Sequence, residues 1–165
     1  HVSAFDLVAL GAIWRRSTTI VYKEGFPRIP VMGTLMQRLG FIPIDRKNLA
    51  KARASLAQAA RGVREKGMAL VIAPEGARSG HGRLLPFKKG PFHLALETRA
   101  PLILLVMKGL EEVMPAGAWF AKPGKVVAEY LPPISTEEWK PENMLEHMAE
   151  VRALFLERLP DGTQD

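Results

Sequence analysis

The stretch Asn48-Leu-Ala-Lys-Ala-Arg-Ala-Ser-Leu-Ala-Gln-Ala-Ala-Arg-Gly-Val-Arg-Glu-Lys-Gly-Met-Ala-Leu-Val-Ile72 decides the fold. Within it Leu49, Ala52, Leu56, Ala59, Ala60 and Val63 recur at helical spacing, which predicts one long amphipathic helix over Asn48 to Lys66. Gly67 closes that helix, and Met68-Ala-Leu-Val-Ile72 follows at once as a buried strand. Ahead of the helix, Phe41-Ile-Pro-Ile44 reads as a short extended piece, and Pro43, which lacks an amide donor, places it at a sheet edge. Strand, helix and strand in immediate succession predict an α/β fold: a mostly parallel or mixed central sheet flanked by helices.

The same pattern extends outward. Toward the amino end, Thr18-Thr-Ile-Val-Tyr22 is rich in β-branched residues and reads as a strand. Phe5 to Trp14 and Pro30 to Leu39 read as helices, the second weakened by Gly33. Toward the carboxyl end, a Gly-rich basic loop reaches Gly90, and Pro91 suits the first turn of a helix ending at Arg99. Leu102-Ile-Leu-Leu-Val-Met107 reads as a central strand, and Lys125-Val-Val-Ala-Glu-Tyr130 as a half-exposed one ended by Pro132-Pro133. Ser135-Thr-Glu-Glu138 fits a capping box, and Met144, Met148, Val151, Phe155 and Leu159 line a final helix. With no repeat, linker or low-complexity tract, residues 1–165 are expected to form one domain.

Composition narrows the functional classes. Hydrophobic residues make up 47% and charged residues 24%, ordinary values for a globular chain. The chain has no cysteine, which excludes disulfides, a thiolate nucleophile and a Cys-ligated metal. The net charge of +6, from 23 Lys plus Arg against 17 Asp plus Glu, favours anionic partners. The basic residues are scattered and carry few interleaved aromatics, so nucleic acid is not among the expected partners. The longest strongly apolar run, Leu102 to Met107, falls far short of the ~20 residues that span a bilayer. No basic-then-apolar leader opens the chain. A chain beginning on histidine is expected to have lost upstream sequence, including any segment that docks it onto a membrane.

The chemistry concentrates at three places. His1-Val-Ser-Ala-Phe-Asp6 pairs a base with a carboxylate that can orient it. Positions five apart on a helix diverge by about 140°, so the pair works if His1 sits on the turn before a helix and Asp6 one turn inside. Ile44-Asp-Arg46 and Pro74-Glu-Gly-Ala-Arg78 each follow a strand, where sites of open α/β sheets gather. Arg46 and Arg78 offer fork-shaped donors suited to phosphate, Glu75 can hold a guanidinium or accept from a substrate hydroxyl, and Gly76 lets the backbone bend sharply. Each has a plainer reading. Arg46 beside Asp45 is a common surface arrangement, Pro-Glu-Gly is an ordinary turn, and Lys88-Lys89 reads as a solvated loop pair. His81 and His93 lack partners at metal spacing, and His147 reads as a surface residue of the last helix. No metal site is expected.

Taken in order, these segments resemble the glycerolipid acyltransferases of the 1-acyl-glycerol-3-phosphate acyltransferase type. His1 and Asp6 meet the family's H-x4-D motif. Lys23 through Pro30, Gly33 and Gly40 to Phe41-Ile-Pro-Ile-Asp-Arg46 are similar to its second block, and Ala73-Pro-Glu-Gly-Ala-Arg-Ser79 to its third. Leu85-Pro-Phe-Lys-Lys-Gly90 and Pro101-Leu-Ile-Leu-Leu-Val106 fit later blocks, so the resemblance covers nearly the whole chain. Ala73 and Ala77 depart from it, standing where an aromatic and a hydroxyl residue are usual. The resemblance implies acyl transfer from acyl-CoA or an acyl-carrier protein to the sn-2 hydroxyl of lysophosphatidic acid. His1 and Asp6 would be catalytic, with Lys23, Arg46, Glu75, Gly76 and Arg78 binding substrate. No cofactor beyond the acyl donor is implied, and the protein would sit on a membrane surface at its cytoplasmic face. Glycerol-3-phosphate or another lysophospholipid as acceptor, and a non-catalytic anionic-lipid-binding domain, are the alternatives.

Overall fold

The structure, a computed structural model, describes residues 18–23, 38, 40–45, 47–77, 83–115, 118 and 120–159. The helix expected over Phe5 to Trp14 lies outside them, as does the one over Pro30 to Leu39 but for Arg38. The strand expected at Thr18 is β1 (Thr18–Lys23), and it pairs in parallel on both sides. Its first half meets β3 (Ala69–Val71), with Thr18 opposite Ala69 and Ile20 opposite Val71. Its second half meets β2 (Ile42–Ile44), with Val21 opposite Ile42 and Lys23 opposite Ile44. The order β2-β1-β3 leaves β2 outermost among the described strands, as expected of a segment containing Pro43, which has no amide donor. Buried Thr19 donates its hydroxyl to the Gly40 carbonyl at 2.7 Å and ties β1 to the entry of β2.

Parallel strands need a crossover, and α1 (Leu49–Lys66) supplies it. The Asn48 side-chain oxygen accepts from the Lys51 amide at 3.1 Å, and Gly67, at φ 59°, ends the helix. Ala59 and Ala60 are fully enclosed and let α1 lie close on Ile42, Val21 and Leu70. β3 is shorter than Met68 to Ile72 and only half-buried, and among the described strands it too is an outer one.

α2 (Lys89–Thr98) joins two cores. Leu94 packs with Ile42, Ala59 and Ala60, while Phe92 and Ala95 pack with Leu104, Val106, Leu131, Trp139, Met144 and Val151. The second core rests on β4 (Leu105–Lys108) and β5 (Val127–Tyr130), an antiparallel pair separated by the one-turn α3 (Leu110–Val113). β4 does not fill the central position expected of Leu102 to Met107. Among the described residues it pairs with β5 alone, and Leu102 makes an isolated bridge to Ile134. Leu104 and Val106 face the core, whereas the alternate residue Ile103 is 57% exposed.

No helix starts at Ser135 to Glu138, contrary to the capping-box expectation. Thr136 is buried and donates its hydroxyl to the Ala100 carbonyl at 3.0 Å. The Arg99 guanidinium donates to the carbonyls of Thr136, Glu137 and Trp139 and holds that segment as a turn. A single 3-10 turn at Pro141–Asn143 then leads into α4 (Met144–Arg158). Met144 and Val151 of α4 are buried, with Met148, Phe155 and Leu159 packed beside them, as the periodicity predicts. His147 is not a plain surface residue: its ring stacks on Trp139 at 4.4 Å, and Nδ1 lies 2.8 Å from the Glu150 carboxylate. Among the described residues no helix is long and apolar enough to cross a membrane.

Gly109, at φ 83°, turns the chain from β4 into α3, and a Cβ there would sit 2.3 Å from the Lys125 carbonyl oxygen. Gly109→Ala therefore combines backbone strain with a backbone clash. Urea unfolding followed by far-UV circular dichroism is expected to show a loss of about 2 kcal/mol or more.

Candidate active site

Because β1, β2 and β3 run parallel, their carboxyl ends share one edge of the sheet. Lys23 ends β1 opposite Ile44, which ends β2. Asp45 follows, and its carboxylate accepts the Lys47 amide at 2.9 Å while its carbonyl accepts the Asn48 amide at 3.3 Å. That turn launches α1. Beyond β3, the Gly76 amide returns to the Ala73 carbonyl at 3.2 Å, closing the Ala73-Pro74-Glu75-Gly76 turn. Pro74 sits second in it, where its fixed φ is preformed, and Gly76 adopts φ 68°.

A strap over residues 83–88 comes back onto this turn. The Leu85 amide donates to Glu75 Oε2 at 3.0 Å, and the Lys88 amide donates to the Pro74 carbonyl at 2.8 Å. Glu75 is only 3% exposed, so its carboxylate is a buried group engaged with the strap. Arg152 of α4 reaches the Leu84 carbonyl at 3.4 Å from the other side. Lys88 stands at the N-cap of α2, and a Cβ on Gly76 would meet its side-chain stem at 3.3 Å. Lys88 and Lys89 are exposed as expected, but they open a helix instead of lying in a loop.

Two helices thus begin at the edge where the parallel strands end. Neither α1 nor α2 has an acidic residue in its first turn. Their amide ends, with Lys88 and Lys89, give this edge a positive potential that favours a bound anion. Among the described residues no group of three or more His, Cys, Asp or Glu is arranged to hold a metal.

Of the residues singled out in the sequence, Glu75 and Gly76 share one turn, and the backbone of Lys23 ends the neighbouring strand on the same edge. His1, Asp6, Arg46 and Arg78 lie outside the described residues. The strap's hold on Glu75 was not legible beforehand, because the Leu85 partner is a backbone amide and leaves no mark in residue type. Glu75→Ala removes the acceptor and leaves that amide unsatisfied in a partly buried place. A loss of about 1–3 kcal/mol in denaturant unfolding is expected, with faster proteolysis within residues 83–88.

Comparison with known proteins gives consistent relatives. The family model described as Acyltransferase matches residues 1–108. A 1-acyl-sn-glycerol-3-phosphate acyltransferase of Limnanthes alba is 35% identical over 97% of this chain and 57% of its own length. The protein of that name from Cocos nucifera is 33% identical over 98% of this chain and 53% of its own. The chain therefore spans little more than half the length of these relatives. The solved 1-acyl-sn-glycerophosphate acyltransferase PlsC of Thermotoga maritima superposes with a TM-score of 0.71 at 26% identity, over 96% of this chain and 63% of that one.

Proposed function

The chain belongs to the acyltransferase family, and from that premise we propose that the whole protein moves a fatty acyl group from a thioester to the sn-2 hydroxyl of lysophosphatidic acid, giving phosphatidic acid. The donor is acyl-CoA or an acyl-carrier protein. His1 removes the proton of the acceptor hydroxyl, and Asp6 holds the imidazole in the required tautomer and stabilises the imidazolium. The acceptor oxygen attacks the thioester carbonyl, the carbon–sulfur bond breaks, and His1 returns the proton to the departing thiolate. Oxygen, acyl carbon, sulfur and proton are then all accounted for, without an acyl-enzyme and without a metal.

Arg46 and Arg78, with Lys23, hold the acceptor phosphate, and Glu75 and Gly76 shape the turn that leads to Arg78. The observation that carries this reading is the shared carboxyl edge. The end of β1 at Lys23, the turn after β2 and the Pro74-Glu75-Gly76 turn meet there beside two helix starts. An edge with that potential suits a phosphate monoester, and the names of the relatives supply a phosphate-bearing acceptor. The protein is proposed to work at the cytoplasmic face of a membrane, where its acceptor and product reside.

Steady-state kinetics of the full-length protein test the assignment. His1→Ala is expected to lower kcat by about 10²–10⁴-fold with the acceptor KM little changed. Arg78→Ala is expected to raise the acceptor KM by about tenfold or more at any fixed donor level. An unchanged rate in the His1→Ala protein removes the base from the mechanism. A preference for glycerol-3-phosphate over lysophosphatidic acid in the wild-type protein replaces the acceptor.

A further inference from the structure

After β4 the chain turns on α3, leaves the core and returns at Val127 to begin β5. The base of this loop is braced. Leu110 and Val113 of α3 are buried, and the Lys122 amide donates to the Val113 carbonyl at 2.7 Å. Gly124 lies so near that a Cβ on it would meet the Val113 side chain at 2.7 Å. Even so, every residue from Phe120 to Lys125 is exposed. Phe120, two residues before the Lys122 anchor, is 85% exposed, the highest value among the large hydrophobic residues described. One exposed apolar side chain is ordinary by itself. In the sequence, however, Phe120 follows Trp119 and is followed by Ala121-Lys122-Pro123-Gly124-Lys125. Lys122 and Lys125 have no carboxylate partner among the described residues. No acidic residue occurs from Val113 to Val126. The nearest along the chain are Glu111 and Glu112 on α3, and Glu129, which is engaged by Lys108 at 3.1 Å and Arg158 at 4.0 Å.

Contacts along the chain fix the side on which this loop projects. Thr136 bonds to the Ala100 carbonyl, just past the carboxyl end of α2. Earlier in the chain, Glu129 meets Arg158 at the last residue of α4. Arg152 of the same helix reaches the Leu84 carbonyl in the strap. Followed from Thr136 back to Val127, the chain therefore moves from the far end of α2 toward the strap, and the loop continues past Val127 on that side. There the strap and the start of α2 expose Arg83, Lys88 and Lys89, again without carboxylate partners among the described residues. Loop and strap thus share one basic side of the molecule.

We propose that the loop from Phe120 to Lys125 enters the headgroup layer of an anionic bilayer, with the Phe120 ring at the acyl boundary and Lys122 and Lys125 on lipid phosphates. The proposal rests on the reading that the protein works at a membrane surface; it adds which segment enters the lipid and which lipid charge that segment selects. Aromatic rings settle at the membrane–water boundary, and a lysine stem can lie along apolar surface while its ammonium reaches a phosphate. Anionic lipid attracts such cations within a Debye length, about 8 Å at physiological salt. A bilayer met on this side also receives Arg83, Lys88 and Lys89. A protein partner fits less well. Phe120 is the one large apolar side chain exposed between Val113 and Val126 among the described residues, whereas a stable protein interface buries about 800 Å² per side.

The test uses the full-length protein with a local probe, so that membrane attachment elsewhere in the protein does not mask the result. Ala121→Cys carries an environment-sensitive nitrobenzoxadiazole label beside Phe120. Glu142→Cys, exposed next to the start of α4 and so at the opposite end of that helix from the strap, carries the control label. Each protein is mixed with phosphatidylcholine vesicles, with or without phosphatidic acid, that contain a lipid-borne quencher. On anionic vesicles the label at 121 is expected to shift to the blue and lose roughly half or more of its emission, as suits a group about 5–10 Å into the headgroup boundary, while the label at 142 stays in water. Phe120→Ser, or Lys122→Glu with Lys125→Glu, is expected to abolish that change and to leave transfer to detergent-dispersed acceptor unaltered. A label at 121 as exposed as that at 142 on vesicle-bound protein overturns the proposal. Equal quenching on neutral vesicles overturns it too, by removing the lysines' role. A blue shift already present without vesicles overturns it as well, since the loop is then covered by protein. Insertion at 121 in a protein without transfer activity upholds this surface and defeats the function assigned above, whereas transfer without insertion does the reverse.

Discussion

The parallel pairing of β1 with both β2 and β3 is the constraint on which the rest depends. A parallel neighbour cannot be reached by a tight turn, so the chain must cross back over the sheet before each new strand. α1 makes that crossing between β2 and β3, and its buried alanines let it lie flat on the sheet it covers. The same pairing sends every strand of this sheet out through one edge. Chain reversals, helix starts and their unpaired amides then collect there.

α2 carries the second consequence. A helix that buries one face needs one partner; α2 buries Leu94 against the parallel strands, and Phe92 and Ala95 against the core under β4, β5 and α4. It cannot shift without disturbing both. Its N-terminus is fastened by the Lys88 amide on the Pro74 carbonyl, so the turn containing Glu75 is clamped to a helix that packs into both cores. Glu75 completes that clamp by accepting the Leu85 amide. A buried carboxylate here therefore fixes the shape of the loop.

These features bear on function together. On the proposed reading, an edge with two helix starts and exposed lysines receives the phosphate-bearing acceptor. Positioning of this kind is worth much in a reaction whose difficulty is bringing a hydroxyl onto a thioester carbonyl.

Residue order alone was enough for the helix from Asn48 to Gly67, the strand at Thr18, the outer position of Pro43, the face of α4 and the ordered motifs around Glu75. Periodicity, caps and proline geometry are local, and local chemistry is written in neighbouring residues. Tertiary structure decided what depends on distant partners. Thr136 and Arg99 turned an apparent capping box into a tethered turn, Trp139 drew His147 into a ring stack, and Leu85 closed over Glu75 through a backbone amide common to almost every residue type. The ion pair of Arg64 with Glu97 likewise formed only because α2 lies beside α1, since a contact between two helices belongs to their packing and not to either segment alone.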